Sequence, residues 1–209
     1  MLFRSEDARI YGAVLSLAGL ALLWWTSTPA AAALALTTLV TYVLIYTPMK
    51  ARSAAATLVG AVPGALPPLI GWAAANGTTS AGGLALFAIV FLWQIPHFMA
   101  IAWMYRADYA AVGFPMLPVR DEAGGKVAIW SLLNTLALLV VSILPWWLGL
   151  ATVPYLAASL LFGLYFLWKA IAFLQRDRRD VAARKLFFTS IAYLPLQLGV
   201  LVADRMINF

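Results

Sequence analysis

Long apolar runs separated by short polar links dominate the pattern of this chain. Seven runs approach the roughly 20 residues that a helix needs to cross the hydrocarbon core of a bilayer, and they lie near residues 10–27, 31–47, 55–75, 83–104, 127–150, 154–173 and 186–203. Apolar and polar positions do not alternate within these runs, which argues against membrane strands. The pattern predicts an all-α fold, a polytopic membrane helix bundle of about seven transmembrane helices.

Basic residues distinguish the two ends of the predicted helices. Every Lys and Arg except Arg205 lies before the first run, or at or between the facing ends of runs two and three, four and five, and six and seven. Cytoplasmic links of membrane proteins carry this excess of basic residues. We therefore expect a multi-pass protein of the cell inner (plasma) membrane, with its amino terminus and large loops cytoplasmic and its carboxyl terminus extracytoplasmic.

Composition narrows the function classes further. Hydrophobic residues make up 64% of the 209 residues and charged residues 11%, against about 45–50% and 25% in soluble domains. The net charge of +6 follows from the topology, so we predict membrane lipid and no nucleic acid as a partner. The chain has no Cys and one His, which excludes disulfides, thiolate catalysis and any site that needs two histidines.

The first candidate cluster, residues 46–52, lies where the second predicted span meets the cytoplasm. Lys50 and Arg52 place two cations within one helical turn, close to Tyr46. Such cations suit an anionic group, such as a phosphate, at the membrane surface. The alternative is ordinary basic flanking of a span.

Residues 60–72, which end at Trp72, place three prolines and three glycines inside the third predicted span. These residues break or kink a helix, which a membrane tolerates only where protein or a cavity satisfies the freed backbone groups. We therefore expect this segment to line an internal cavity. A packing kink between close helices is the alternative.

The fourth predicted span carries Trp93, Gln94 and His97 within residues 93–98. Polar side chains inside a membrane span are costly, so we expect His97 to point into the cavity. A haem contact, a proton donor and a carbonyl partner are its candidate roles. An interhelical hydrogen bond is the alternative.

A further polar cluster follows at the cytoplasmic end of that span, with Arg106, Asp108 and Tyr109 before a turn-rich segment at 113–118. Mg²⁺ prefers one or two carboxylates together with substrate phosphates. Asp108 is therefore a candidate Mg²⁺ ligand and Arg106 a candidate phosphate ligand, with a merely solvated Asp as the alternative. Residues 175–185, which carry charges of both signs, are predicted to form a solvated loop.

Taken together, these segments resemble the protoheme IX farnesyltransferase (haem O synthase) family of UbiA-type intramembrane prenyltransferases. The similarity rests on four motifs in order and with matching spacing, and it covers nearly the whole chain: residues 46–50, 63–72, 93–98, and 108–109 with 113–118. The segment 183–196 also resembles the last helix of the family.

The resemblance implies nine helices around a central cavity and transfer of a farnesyl group from farnesyl diphosphate to a vinyl group of haem b. It implies Mg²⁺ as cofactor, with Asp108 as its ligand. It also implies site residues of two kinds. Lys50, Arg52 and Arg106 would hold phosphate, and the remaining residues would stabilise the farnesyl cation or bind substrate: Tyr46, Trp72, Trp93, Gln94, His97 and Tyr109.

The chain departs from the family pattern in three places. The first two helices of the family are absent, and with them an amino-terminal Asn/Asp motif, so we expect a single prenyltransferase domain over residues 1–209 that is shortened at its amino end. Ala51 and Ala56 stand where the family has a basic residue and an Asn. Val112 stands where a second aspartate would follow Asp108.

Three alternatives remain open at this point. The first is a UbiA-type prenyltransferase with a quinone or chlorophyll-like acceptor. The second is an inactive shortened copy, or an assembly factor that binds lipid or haem, because the missing motif predicts low activity of this chain alone. The third is a small transporter, which the unequal loops and the lack of an internal repeat disfavour.

Overall fold

The computed structural model describes residues 5–208, so Arg4, one of the basic residues before the first run, lies outside the described part. Seven helices are long and apolar enough to cross a membrane, and the described residues contain no strand. The predicted fold class is therefore confirmed. The helices are α1 (Ser5–Thr26), α2 (Pro29–Val40), α3 (Ala56–Asn76), α4 (Ala81–Met104), α5 (Gly125–Val141), α6 (Val153–Ala172) and α7 (Arg179–Asn208).

Short helical segments extend or connect these helices. The α2 span continues through a π-helical turn and a short α-helical turn, and further short helices lie in the links. Their bounds are Thr41–Tyr46, Thr47–Met49, Arg106–Ala111, Leu117–Arg120, Leu144–Trp147 and Arg176–Arg178.

The helices pack in two groups. Helices α4, α5, α6 and α7 contact one another in a closed ring, which we call the four-helix bundle. Helices α1, α2 and α3 extend from α4 one after another, with α3 packed on α4, α2 on α3 and α1 on α2; we call them the open row. The main contiguous cluster of buried apolar side chains belongs, except for Ala61 of α3, to the bundle and the turn after α6. Helix α3 also buries Ala65, Leu66, Leu69 and Ala73 outside this cluster.

Buried polar side chains join three helices of the bundle where α5 ends. The Tyr155 hydroxyl and the Ser159 hydroxyl both donate to the Ser142 carbonyl, at 2.9 and 3.1 Å. Gln197 Nε2 donates to both hydroxyls, and the Ser142 and Tyr193 hydroxyls lie 2.8 Å apart. Helix α5 ends just before Ser142, and the Tyr155 and Ser159 hydroxyl groups donate hydrogen bonds to the Ser142 carbonyl, which lipid could not do.

The structure corrects two predicted boundaries and one predicted break. The predicted solvated loop at 175–185 holds only for residues 175–178 and is wrong beyond them, because α7 already begins at Arg179 and buries Ala182 and Ala183. The charged residues interrupt the apolar pattern here, so the first turns of α7 cannot be distinguished from a loop by the sequence pattern. The fifth predicted span is not one continuous helix, because α5 ends at Val141 and a short helix follows at Leu144–Trp147. Residues 60–72, which the sequence predicts to break or kink their helix, do not break it, because α3 runs from Ala56 to Asn76 through all three prolines.

Candidate functional site

The cavity between α2, α3 and α4 gathers several of the sequence-predicted residues. It has a volume of about 430 Å³ and opens towards the link that follows α4. Tyr46, Lys50, Gln94 and Tyr109 line it, together with Pro63 and Gly64 of the proline-rich segment. The prediction that this segment lines a cavity is therefore confirmed for its first half.

The π-helical turn of α2 has a local cause. Pro48 has no backbone N–H and cannot make the ordinary helical bond to a carbonyl four residues earlier. The Thr47 N–H instead reaches back five residues to the Tyr42 carbonyl, and the Thr47 hydroxyl donates to the same oxygen at 2.8 Å. Such π turns are rare and often occur at functional sites.

This turn aligns four side chains along one wall of the cavity. Thr38, Tyr42, Tyr46 and Lys50 follow one another at intervals of four residues, and all four line the cavity. In a regular α-helix each four-residue step overshoots a turn by about 40°, so Lys50 would lie far around the helix from Thr38. The wider π turn reduces this drift, and the four residues keep a common face.

Glycines let the opposite walls approach one another. The Tyr46 ring lies directly on Gly60, where a Cβ would be 2.7 Å from a ring carbon. A Cβ on Gly64 would overlap Gln94 Oε1. Gln94 is held in place because its Nε2 donates to the carbonyls of Ala61 and Val90, at 3.3 and 3.1 Å. The position of Gln94 is thus fixed by both α3 and its own helix.

Two of the predicted cations differ in how they are placed. Lys50 lies exposed at the end of α2 and lines the cavity, and its ammonium has no ion-pair partner among the described residues. Arg52 is exposed in the turn after it and does not line the cavity. Lys50 is therefore the cation best placed to meet an anionic group at the cavity mouth.

Arg106 is turned away from this cavity. Its guanidinium pairs with Asp180 of α7 at 3.1 Å, donates to the Trp103 carbonyl at 2.8 Å and lies 4.3 Å above the Trp103 ring. Trp103 Nε1 also donates to Asp180, at 2.7 Å. The structure thus gives Arg106 a partner on the bundle side and does not bring it to Lys50.

Asp108 lies exposed in the short helix after α4, next to Tyr109, which lines the cavity. Within residues 5–208, no ion pair engages its carboxylate and no group of three metal-ligating side chains occurs. The donor set therefore fits a Mg²⁺ ion that takes one protein carboxylate and draws its other ligands from a diphosphate and water.

His97 lies between α4 and α7 and is absent from the lining of the cavity. Its Nδ1 is 2.8 Å from the Ser190 hydroxyl, which itself donates to the Phe187 carbonyl at 2.6 Å. Because that hydroxyl donates its own proton to Phe187, it accepts from His97 Nδ1. The expected orientation of His97 into this cavity is wrong, because Ser190 holds the ring at the neighbouring interface.

Two predicted tryptophans are also placed elsewhere. Trp93 stacks on His97, with ring centroids 5.0 Å apart, and its Nε1 donates to the Ser190 carbonyl at 2.7 Å. Trp72 packs against Gly82 and Gly83 near the other end of α3, in a pocket separate from that of Lys50. Neither ring lines the cavity.

Sequence reasoning missed two cavity residues whose signal was present in the chain. Thr38 and Tyr42 precede Tyr46 at the same four-residue interval. The proline at position 48 also indicates where helical hydrogen bonding must change. Arg179, which is buried and donates to three carbonyls, had no such signal, because nothing in the local sequence distinguishes it from its charged neighbours.

Comparisons with known proteins show the family of the chain. Residues 2–192 match the UbiA prenyltransferase family. A protein of Opitutus terrae named protoheme IX farnesyltransferase is 55% identical over 96% of this chain and 68% of its own length. Proteins of the same name from Solibacter usitatus and Thermus thermophilus are 44% and 40% identical, over 95% and 96% of this chain and 68% and 33% of their own lengths.

A solved structure described as digeranylgeranylglyceryl phosphate synthase shares the fold. Its TM-score is 0.85 with 16% identity, over 98% of this chain and 71% of the other. At this identity the likeness shows the fold alone. The family match, the named relatives and the shared fold agree with the resemblance found in the sequence. The chain belongs to the UbiA prenyltransferase family and is a relative of the protoheme IX farnesyltransferases within it.

Proposed function

We propose that this protein transfers the farnesyl group of farnesyl diphosphate to a vinyl group of haem b and so forms haem O. The observation that carries the proposal is the cavity, where Lys50, a cation without an ion-pair partner among residues 5–208, lies at the mouth of a mainly apolar and aromatic chamber. A prenyl diphosphate has the matching shape, an anionic head on an apolar tail. The high identity to relatives named protoheme IX farnesyltransferase supports the choice of farnesyl and haem.

The residues divide the chemical work. The Lys50 ammonium holds phosphate oxygens and stabilises the negative charge that develops as the allylic C–O bond breaks. Asp108 would hold Mg²⁺, which supplies further positive charge to the diphosphate when bound. The rings of Tyr42, Tyr46 and Tyr109 line the path of the farnesyl cation and stabilise it, at about 1–2 kcal/mol per contact in a desolvated site.

The reaction balances without an oxidant or a reductant. The terminal carbon of the haem vinyl group attacks C1 of the farnesyl group, and a C–C bond forms as diphosphate leaves. The positive charge moves to the vinyl carbon beside the macrocycle. Water adds there and loses a proton, which leaves a hydroxyl group. The apolar cavity wall limits the access of water before the C–C bond forms.

The order of the helices indicates the end of the molecule at which the proposed site lies. Helices that alternate in direction bring the Lys50 link, the Asp108 link and the start of α7 to the same end of the molecule. We place this end at the cytoplasmic face of the inner (plasma) membrane, with the carboxyl terminus on the opposite side. The chain forms one prenyltransferase domain, in which α3 joins the open row to the four-helix bundle.

The experiment is incubation of membranes that contain the protein with haem b and labelled farnesyl diphosphate, followed by chromatography of the haems. We expect labelled haem O, and much less of it from the Lys50→Ala variant at the same farnesyl diphosphate concentration. Label in a quinone or chlorophyll precursor supplied in parallel, with none in haem, would favour a different acceptor. No labelled product with any acceptor, from protein shown to be folded, would overturn the transferase assignment.

A further inference from the structure

A second groove opens at the same end of the molecule as the cavity mouth, between the end of α4 and the first turns of α7. Its volume is about 590 Å³. It combines charged side chains at its rim with large apolar ones beneath them, and it is lined by Met104, Tyr105, Arg106, Asp180, Val181, Arg184, Phe187 and Phe188.

The rim of the groove carries one positive charge that no residue in the described part of the chain neutralises. Asp180 pairs with Arg106 at 3.1 Å and so accounts for one of the two guanidinium groups. Arg184 is exposed and makes no hydrogen bond or ion pair with another described residue. An exposed guanidinium beside an apolar surface suits a carboxylate, which it binds through two parallel hydrogen bonds.

The floor of the groove is aromatic and lies on the same helix face as this cation. Phe187 and Phe188 follow Arg184 by three and four residues, the spacing at which side chains of a helix are neighbours. Phe188 is 60% exposed, and Tyr105 on the facing side is 54% exposed. A flat aromatic ligand with an acidic edge would cover these rings and place its acid on Arg184.

A row of three rings in contact, one pair edge-to-face and one pair stacked, connects the groove to the cavity. The Phe98 ring, which lines the cavity, is 5.5 Å from the His97 ring, and His97 is 5.2 Å from Phe187 in the groove. A tetrapyrrole is wide enough to extend along such a row. A ligand held at Arg184 by one edge could therefore bring its opposite edge towards the cavity.

We propose that this groove binds the acceptor, a planar tetrapyrrole dicarboxylate, with a carboxylate on Arg184 and the ring face on Phe187 and Phe188. The proposal rests on the proposed function, because it names the site for the acceptor of that reaction. It separates the two substrates, with the prenyl diphosphate in the cavity at Lys50 and the acceptor across the Phe98–His97–Phe187 row.

The test is a haem b titration of the purified protein in zwitterionic lipid, followed by the change in haem absorbance and without farnesyl diphosphate. We expect Arg184→Gln to weaken binding about tenfold and Arg184→Lys to weaken it less, as for a lost charge-assisted hydrogen bond. Lys185→Gln is the matched control, because it removes the adjacent exposed cation, which does not line the groove. Its haem affinity should equal that of the wild type.

The dimethyl ester of haem b identifies the group that Arg184 binds. The wild type should bind the ester as weakly as Arg184→Gln binds the acid, and Arg184→Gln should not distinguish the two. Equal affinity of the wild type for acid and ester, or equal losses in Arg184→Gln and Lys185→Gln, would overturn the proposal. So would an Arg184 effect seen only when anionic lipid is present, which would assign the cation to a lipid headgroup.

Turnover distinguishes failure of this proposal from failure of the proposed function. If the wild type forms haem O, Arg184→Gln should raise the KM for haem b about tenfold while the KM for farnesyl diphosphate stays unchanged. Haem O formation with an unaltered haem KM in Arg184→Gln would reject the groove and keep the function. Arg184-dependent haem binding without haem O would reject the function and keep the groove.

Discussion

The four-helix bundle and the open row both contain polar side chains, but these side chains differ in their partners. In the bundle, Tyr155, Ser159 and Gln197 are buried, and they form hydrogen bonds with one another and with the Ser142 backbone carbonyl. In the open row, Lys50 faces a cavity and has no ion-pair partner among the described residues. Polar groups that satisfy one another hold the helices together, whereas those left open to a cavity are available to a ligand.

Burial decreases along the open row with distance from the bundle. Of the most apolar stretch of each span, 33% is buried in α3, 11% in the α2 span and none in α1, against 44%, 39%, 28% and 28% in α4, α5, α6 and α7. Lipid covers exposed apolar faces at no cost, so the open row needs less internal packing than a soluble domain would. Substitutions in the bundle should therefore change stability, and those at the cavity should change activity.

The largest effect on activity is expected at Asp108, in the link between α4 and α5. Asp108→Asn should lower Mg²⁺-dependent turnover about 100-fold or more, because a neutral amide cannot offset the charge of a metal–diphosphate complex. The melting temperature should not change, since the side chain is exposed and has no ion pair. Haem O formation and thermal unfolding of the same preparation measure both quantities.

Asp121, in the same link, is the matched control. Its carboxylate accepts from the Val127 N–H at 3.0 Å, near the start of α5. Asp121→Asn should retain most of the turnover per folded molecule and lose at most about 1 kcal/mol of stability, as for a helix cap. Equal turnover losses in the two variants would contradict a metal role for Asp108.

The largest effect on stability is expected at Arg179 in the bundle. Its guanidinium is buried and donates to the carbonyls of Phe173, Leu174 and Ala123. Arg179→Met should cost about 2–4 kcal/mol, because it leaves these carbonyls without a donor. Thermal unfolding in detergent should show the loss, while turnover per folded molecule stays near that of the wild type. An unchanged melting temperature would refute the structural role.

A smaller effect on activity is expected from Gly60→Ala in the open row. The added methyl group would meet the Tyr46 ring at 2.7 Å, so the ring must move out of its place in the cavity wall. We expect turnover to fall about tenfold, since small displacements in an active site are costly. Gly199→Ala, where the methyl group meets no atom within 4 Å, is the control and should remain active.

The smallest effect is expected from loss of one hydroxyl group in the bundle. Tyr155→Phe removes the donor to the Ser142 carbonyl and one acceptor of Gln197. Hydrogen bonds between membrane helices contribute about 0.6 kcal/mol on average, so the loss of stability should be near 1 kcal/mol. Thr38→Val at the cavity should leave the unfolding temperature unchanged. A larger stability loss at Thr38 than at Tyr155 would reverse the comparison.

The sequence predicted the helices well because the membrane imposes a length that is visible in the apolar runs. It also grouped residues that lie close together in the chain and line the same cavity, such as Tyr46 and Lys50. It failed where a partner comes from a distant helix. Ser190 of α7 turns His97 away from the cavity, and Asp180 of α7 holds Arg106. No local pattern in the sequence reveals such long-range pairs. The start of α7 was missed for another reason, because residues 175–185 are too polar to match the apolar pattern of a helix that packs on the bundle.

The division between cavity and bundle is tested most directly by the affinity for farnesyl diphosphate of two charge-removing variants. Lys50→Ala should weaken binding about 100-fold, because it removes the unpaired cation at the cavity mouth, and Arg106→Gln should weaken it by no more than about threefold, because Arg106 is paired with Asp180 outside the cavity. Equilibrium binding of labelled farnesyl diphosphate to both folded variants gives the answer. Equal losses, or a larger loss in Arg106→Gln, would contradict the placement of the diphosphate at Lys50.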